Sequence, residues 1–312
     1  MRIPIVKCHG SGNDFPLVDA RAVQLSDVEW TTVSRALADR TGPVGGDGLL
    51  LLGPGDQSVP FSMTMYNSDG SEAETCLNGL RCVARAGFAA LGIEAATVAL
   101  MNSTAEASHA ADLAPGVYTV RETAGPATHD VAAWPMTIGR DSNIDTAIAP
   151  LGSVRAFTAV AIPNPHLIAF VDAVDEAELA TIGRVCEAAP GWLPNRANVS
   201  FVELRDPATL FVRTFERGVG LTDSCGSAMA ASVHAAGLTG RIAFGTPVTV
   251  LNRGGLVRAV AAADGMVTIE GNATWQWTGS IDVDPATGVV RDLTIDTVFH
   301  DEAAAWAAAM AA

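Results

Sequence analysis

The chain has 312 residues, 49% of them hydrophobic and 17% charged, with a formal charge of −15. That composition excludes a disordered chain, and its acidity argues against nucleic acid or an anionic membrane surface as partner, since both select a basic face. There is no run of about 18 apolar residues to span a membrane, and the opening MRIPIVK lacks the apolar stretch of a secretory signal, so a cytoplasmic protein is expected.

Short β-type runs bounded by Gly, Pro, Asn and Asp dominate the chain. They fall at 3–6, 16–18, 49–52, 61–66, 97–101, 117–120, 155–162, 167–171, 198–204, 210–215, 248–251, 256–260 and 266–270. Helices are fewer. Ser26-Asp-Val-Glu29 is a capping box, after which Trp30, Val33 and Leu37 recur at helical spacing. Leu80, Val83, Ala84, Phe88 and Leu91 form a second apolar stripe, directly after Cys76. Asp175 opens a third helix, with Leu179, Ile182 and Val185 on one face, and Met229, Val233 and Ala236 form a fourth, directly after Cys225. An Ala-rich helix without evident function closes the chain. The order of strands, helix, strands and cysteine-headed helix occurs twice. It predicts an α+β protein of two pseudo-symmetric domains, each a mostly antiparallel sheet wrapped around a central helix. The boundary is placed in the Ala-, Gly-, Thr- and Pro-rich segments 104–115 and 124–133, giving domains 1–128 plus 275–312 and 129–274.

Five cysteines (8, 76, 82, 186 and 225) without CxxC spacing suggest neither a disulfide framework nor a zinc site. Lys7 is the sole lysine, and nothing around it resembles the Schiff-base site that pyridoxal phosphate requires. GxGxxG and Walker motifs are absent as well. Chemistry without a cofactor or a metal is therefore expected. Cys76 and Cys225 each head a segment that reads as the first turn of a helix, where unpaired N–H groups stabilise a thiolate and can bind a carboxylate. Two such heads facing one cleft would place two acid/base sulfurs around one anionic substrate. Cys8, Cys82 and Cys186 read as small buried residues. Asn13, Asn67, Asn164 with His166, and Asn198 lie in polar loops, where a single asparagine usually forms a turn. Together with Glu216 and Arg217 they suit a zwitterion, Arg217 clamping a carboxylate and Glu216 accepting from an ammonium.

HGSGNDF, NSDGSEAETCLNGLRC, NPH, and ERGVG followed by CGS resemble, in order and spacing, the signatures of the diaminopimelate epimerase family. The resemblance covers about residues 5–275. It implies two pseudo-symmetric domains with the active site between them, and pyridoxal-phosphate-independent inversion of one α-carbon of LL-diaminopimelate to the meso form. It also implies that one of Cys76 and Cys225 removes the α-proton as thiolate while the other reprotonates as thiol. N–H groups at Leu77, Asn78, Gly226 and Ser227 would hold the reacting carboxylate. His166 and Glu216 would tune the thiols, Glu216 also touching substrate, and Asn13, Asn67, Asn164, Asn198 and Arg217 would hold the amino groups and distal carboxylate. A facing pair of thiols would form a reversible disulfide. The implied partner is a small amino-acid substrate, with a homodimer left open.

The chain departs from the family pattern at Leu77, where glycine is usual, and at Pro163, Leu221 and Met229. These departures keep open a related cofactor-independent racemase with a different substrate. A cysteine-nucleophile hydrolase using His166 stays open too, as does a non-catalytic binding protein on the same scaffold.

Overall fold

The computed structural model describes residues 1–311. They form two compact units: Met1–Glu122 joined by the chain from Glu270 onward, and Thr123–Ile269.

In the first unit, Arg2–Gly10 pairs antiparallel with Asn13–Asp19 through a tight hairpin (Val6 opposite Leu17, Gly10 opposite Asn13). Its other edge pairs antiparallel with Thr274–Val283, which in turn pairs with Val290–Val298. Asn13–Asp19 runs parallel to Gly48–Pro54, which pairs antiparallel with Phe61–Asn67. The sheet continues parallel through Ala95–Ala99 and then antiparallel to Thr104–Ala110. The run Leu49–Leu52 is apolar throughout because helices cover both faces of its strand. Leu49 and Leu51 join Trp30, Val33 and Leu37 of the Asp27–Ala38 helix, while Leu50 faces Gly79 of the helix Leu77–Leu91. From Leu77 to Phe88 every residue of that second helix is buried, as expected for a helix enclosed by strands.

The second unit repeats the order. Ala156–Ala161 and Pro165–Phe170 form a hairpin, and Pro165–Phe170 runs parallel to Asn198–Asp206. Asn198–Asp206 pairs antiparallel with Thr209–Glu216, which runs parallel to Val248–Leu251 and so leads to Leu256–Ala261. The outer helix Glu176–Glu187 packs Leu179 and Ile182 on Val199 and Phe201. The enclosed helix is Gly226–Leu238, buried without a break from Ala228 to Ala236. Alanine and glycine dominate it, so strands approach its backbone closely.

Local signals explain where the helices begin. Ser26 and Glu29 form the reciprocal capping box, and the Asp175 carboxylate accepts from the N–H groups of Ala177 and Glu178 at 2.9 and 3.1 Å. Three strands longer than three residues lie outside the β-runs read from sequence, besides the short Glu72–Ala73, Thr146–Ala147 and Gly220–Thr222. Thr104–Ala110 occupies most of a segment expected to hold the domain boundary; its buried residues are only alanines (Ala105, Ala107), too small to give an apolar alternation. Thr274–Val283 owes its place to pairing with the distant first strand, and Val290–Val298 to pairing with Thr274–Val283. The Ala-rich tail is the helix His300–Ala311.

A Cβ added at Gly87 would lie 2.6–2.8 Å from three ring atoms of Phe61, which is fully buried. Gly87→Ala should therefore destabilise the protein by about 1–3 kcal/mol, although alanine is the better helix former. Urea unfolding of the variant against wild type measures this; equal or greater stability would refute the tight strand-on-helix packing.

Candidate active site

Each enclosed helix begins at a cysteine. Cys76 is the N-cap of Leu77–Leu91, extended at φ −143°, and its sulfur accepts from the Gly79 N–H at 3.3 Å. A sulfur here does what a serine or aspartate oxygen does at an ordinary N-cap, and such a position favours the thiolate. The Sγ also lies 3.9 Å from Asn13 Oδ1. Asn13 begins the second strand of the hairpin, and its amide nitrogen donates to Asp47 Oδ2. Arg40 joins Asp47 and Asp14, both at 2.6 Å, and Lys7 closes on Asp14 at 2.5 Å. The only lysine is thus a buried structural cation. Asn67 stands opposite Gly48, next to Asp47, at the same end of the sheet, with its amide donating to Ser71 Oγ at 3.0 Å.

Behind this helix head sits a charge pair with no exposure, Arg81 and Glu122, 2.5 Å apart. Arg81 also donates to Asn78 Oδ1 (2.7 Å), Ser11 Oγ (3.1 Å) and the Asn272 carbonyl (3.1 Å). It therefore joins the first turn of the cysteine helix to the Ser11–Gly12 hairpin turn that precedes Asn13. Glycines make room for it: a Cβ at Gly271 would sit 2.6 Å from Arg81 Nε, and one at Gly10 2.5 Å from the Asn78 carbonyl. Burial outweighs the arginine and pushes the Glu122 carboxyl up to about 7. Leu77 is buried with a helical backbone, so the departure from glycine there causes no backbone conflict.

In the second unit Cys225 is the N-cap of Gly226–Leu238, at φ −134°. Its sulfur lies 3.5 Å from Ser227 Oγ. Burial first, and the neighbouring Glu216 carboxylate second, raise this thiol well above the ordinary range. Thr222 donates its hydroxyl to Glu216, fixing the carboxylate from the adjoining short strand. The Asn198 side chain accepts from the Arg217 N–H at 2.9 Å, and the Arg217 guanidinium donates to the Asn195 carbonyl at 3.0 Å. His166 stands in register with Asn198, and its Nε2 is 3.3 Å from Asn164 Oδ1. Burial, then the positive charge of Arg217, lower His166 to about 3.

Cys76, Leu77, Asn78, Asn13 and Asn67 thus gather in the first unit, and Cys225, Gly226, Ser227, Glu216, Arg217, Asn198, Asn164 and His166 in the second. Of the two groups expected to tune the thiols, Glu216 acts on Cys225, whereas His166 is engaged with Asn164. Sequence reading missed Asp47, Arg81, Glu122 and Thr222. Asp47 carried a usable signal, a carboxylate inside the glycine-rich GPVGGDG, a segment that invites attention only as a phosphate loop.

Acid stability follows from the buried imidazoles. His9 is held near 4 and His166 near 3, both by burial first. Each is neutral in the fold and protonated in the unfolded chain below about 6.5, so each contributes stability above that pH that is lost as the pH falls. Glu122, raised to about 7, acts oppositely and offsets one of these two imidazoles, while His234, also lowered by burial first, adds to their direction. Urea titrations between pH 6.5 and 4.5 should show stability falling with acid, and His166→Gln should lessen that slope by about 1.4 kcal/mol per pH unit. An unchanged slope in the variant would contradict a neutral buried His166.

The sequence model of diaminopimelate epimerase matches residues 5–122 and 158–276, ranges that include both cysteine helices. A diaminopimelate epimerase of Clostridium acetobutylicum is 35% identical over 302 residues, covering 95% of this chain and 90% of that protein. One of Enterococcus faecalis is 38% identical over 285 residues, covering 88% and 87%. Among solved structures, a hydroxyproline epimerase of Agrobacterium vitis aligns with a TM-score of 0.59 at 16% identity, over 100% of this chain and 98% of its own, a likeness of fold. Identity at this level over nearly the whole length, with both cysteine-capped helices inside the matched ranges, makes the chain a member of the diaminopimelate epimerase family of isomerases.

Proposed function

We propose that the protein inverts one α-carbon of LL-diaminopimelate to give the meso isomer, with Cys76 and Cys225 as the proton-transfer pair. The observation that carries this reading is that both cysteines are N-caps of buried helices within a chain of this family. An amino-acid α-proton is a very weak acid, so the site must stabilise the charge that develops as the proton leaves. Backbone N–H groups of Leu77, Asn78, Gly226 and Ser227 are the donors suited to the reacting carboxylate. The Gly79 N–H at the Cys76 sulfur favours a thiolate there, while burial and Glu216 keep Cys225 a thiol. One residue can then accept a proton while the other donates one, and the roles exchange after turnover.

The remaining polar groups suit the far end of the substrate. Arg217, oriented through Asn198 and Asn195, offers a planar fork for the second carboxylate. Asn13, Asn67 and Asn164 provide amides for the amino groups. A hydrolase would require a basic imidazole beside the nucleophile, and a His166 held neutral to about pH 3 and engaged with Asn164 does not fit that role. No helix among the described residues is long and apolar enough to cross a membrane. The reading places the reaction in the cytoplasm, in the supply of lysine and cell-wall precursors.

The test is proton NMR of the reduced protein with LL-diaminopimelate in D₂O. Wild type should exchange the α-proton and form the meso isomer, and Cys76→Ser and Cys225→Ser should each lose about 1,000-fold in the rate of inversion. Absence of exchange by wild-type protein with free thiols would reject this substrate. Arg217→Lys should raise KM about tenfold or more with a smaller effect on kcat, because lysine cannot form the bidentate contact. A kcat-only defect would remove Arg217 from distal carboxylate binding.

A further inference from the structure

The helix His300–Ala311 lies beyond the residues matched by the family model, yet it is fastened to the elements that carry the first cysteine and Asn13. Glu302 in its first turn takes both guanidinium nitrogens of Arg85 at 2.6 and 2.7 Å and the Trp275 N–H at 3.0 Å. Arg85 belongs to the Cys76 helix, with its guanidinium between the rings of Tyr118 (4.3 Å) and Trp275 (4.1 Å). One turn further along the tail, Trp306 is 8% exposed, with its ring centroid 5.7 Å from that of His9.

His9 is the first residue of HGSGN. Its Nδ1 receives the Gly12 N–H (3.4 Å) and the Asn272 side-chain amide (3.2 Å), while Asn272 Oδ1 accepts the Ser11 N–H at 2.7 Å. Ser11 and Gly12 both have positive φ, 52° and 82°. For serine this is a disfavoured conformation that local bonds must hold. The shape of the turn before Asn13 thus depends on His9 Nδ1 being an acceptor, and a proton on that nitrogen would remove it.

We infer that the tail helix is a working part of the site: Trp306 seals His9 from water so that it remains the acceptor on which the Ser11–Gly12 turn, and through it Asn13, depends. Trp306 and Glu302 are positioning residues, acting through His9 and Arg85. Burial is the main cause that lowers His9 to about 4. Among the charged groups around it, Asp14 on the paired strand and Glu302 on the tail favour its protonation, while Arg81 on the cysteine helix and Lys7 on its own strand oppose it. The fold therefore keeps the imidazole neutral by excluding water rather than by charge.

The inference rests on the proposed role of Asn13, and the test separates the two. The rate of α-proton exchange of diaminopimelate would be followed from pH 5 to 8 for the full-length wild type, Trp306→Ala, Trp306→Phe and the double variant His9→Gln/Trp306→Ala. Trp306→Ala should show an additional acid limb near pH 6.5, losing about tenfold in kcat/KM at pH 5.5 beyond any wild-type loss. Trp306→Phe should restore the wild-type profile, and the double variant should lack the extra limb. A Trp306→Ala profile parallel to wild type, at whatever absolute rate, would overturn the inference. Histidine proton NMR of wild type gives a reading independent of turnover and of variant folding: His9 should not titrate above about pH 5, and titration near 6.5 would also overturn it. Inactive wild type would reject the proposed reaction, while the NMR titration would still decide whether His9 is sealed.

Discussion

A helix cannot hydrogen-bond the N–H groups of its own first turn, and much of this protein is arranged around that constraint. In both units the helix is enclosed by strands and its N-cap residue is cysteine, although only the Cys76 sulfur takes up one of those groups, the Gly79 N–H. The same unpaired N–H groups that stabilise a negative sulfur can hold a carboxylate. Structural need and chemical use therefore coincide at residue 76, whereas at residue 225 the first-turn N–H groups are left without a bond from the cap side chain. Enclosure also favours small residues along the two helices, as the alanines and glycines of Gly226–Leu238 show.

The two caps are not alike. Around Cys76 the supporting groups are ionic: Arg81 with Glu122, fully buried beneath the helix head, and Lys7 with Asp14, joined by the exposed Arg40 and Asp47, around the strand end that carries Asn13. Removing one partner from a buried pair leaves an uncompensated charge, so such pairs specify geometry more than they add stability. Around Cys225 the Glu216 carboxylate is bonded to a threonine, Asn198 and Asn195 bond Arg217, and a buried arginine, Arg213, ties the Thr222 carbonyl and Asp223 to Glu176. A thiol pressed upward by burial and a neighbouring anion, and a sulfur receiving an N–H, are different acid/base partners on similar scaffolds.

How much of this was legible depended on the range of the signal. Ser26 with Glu29, Asp175, and the stripes after Cys76 and Cys225 are local patterns, and local physics decides where those helices begin. The polar residues around each cysteine were legible because their motifs carry them together. Arg81 was visible in LNGLRC, but its partners Ser11, Glu122 and Asn272 are distant in sequence, and only folding joins them. Thr274–Val283 and Val290–Val298 had too little apolar alternation to stand out; the first pairs with Arg2–Gly10 at the other end of the chain, and the second pairs with the first. The tail read as an alanine-rich stretch with Asp301, Glu302 and one tryptophan, and nothing in that composition points to Arg85 or His9.

That pairing of the first strand with Thr274–Val283 has a consequence for synthesis on the ribosome. Thr123–Ile269 is one continuous stretch, and its sheet and enclosed helix are all in hand once residue 269 has emerged. The unit that begins the chain is the last to close, because Arg2–Gly10 waits with one edge unpaired until the segment after residue 273 arrives. The half with Cys225 can therefore mature while the half with Cys76 is still incomplete. Until then, the apolar residues on the first strand are the part of the nascent protein most in need of shelter.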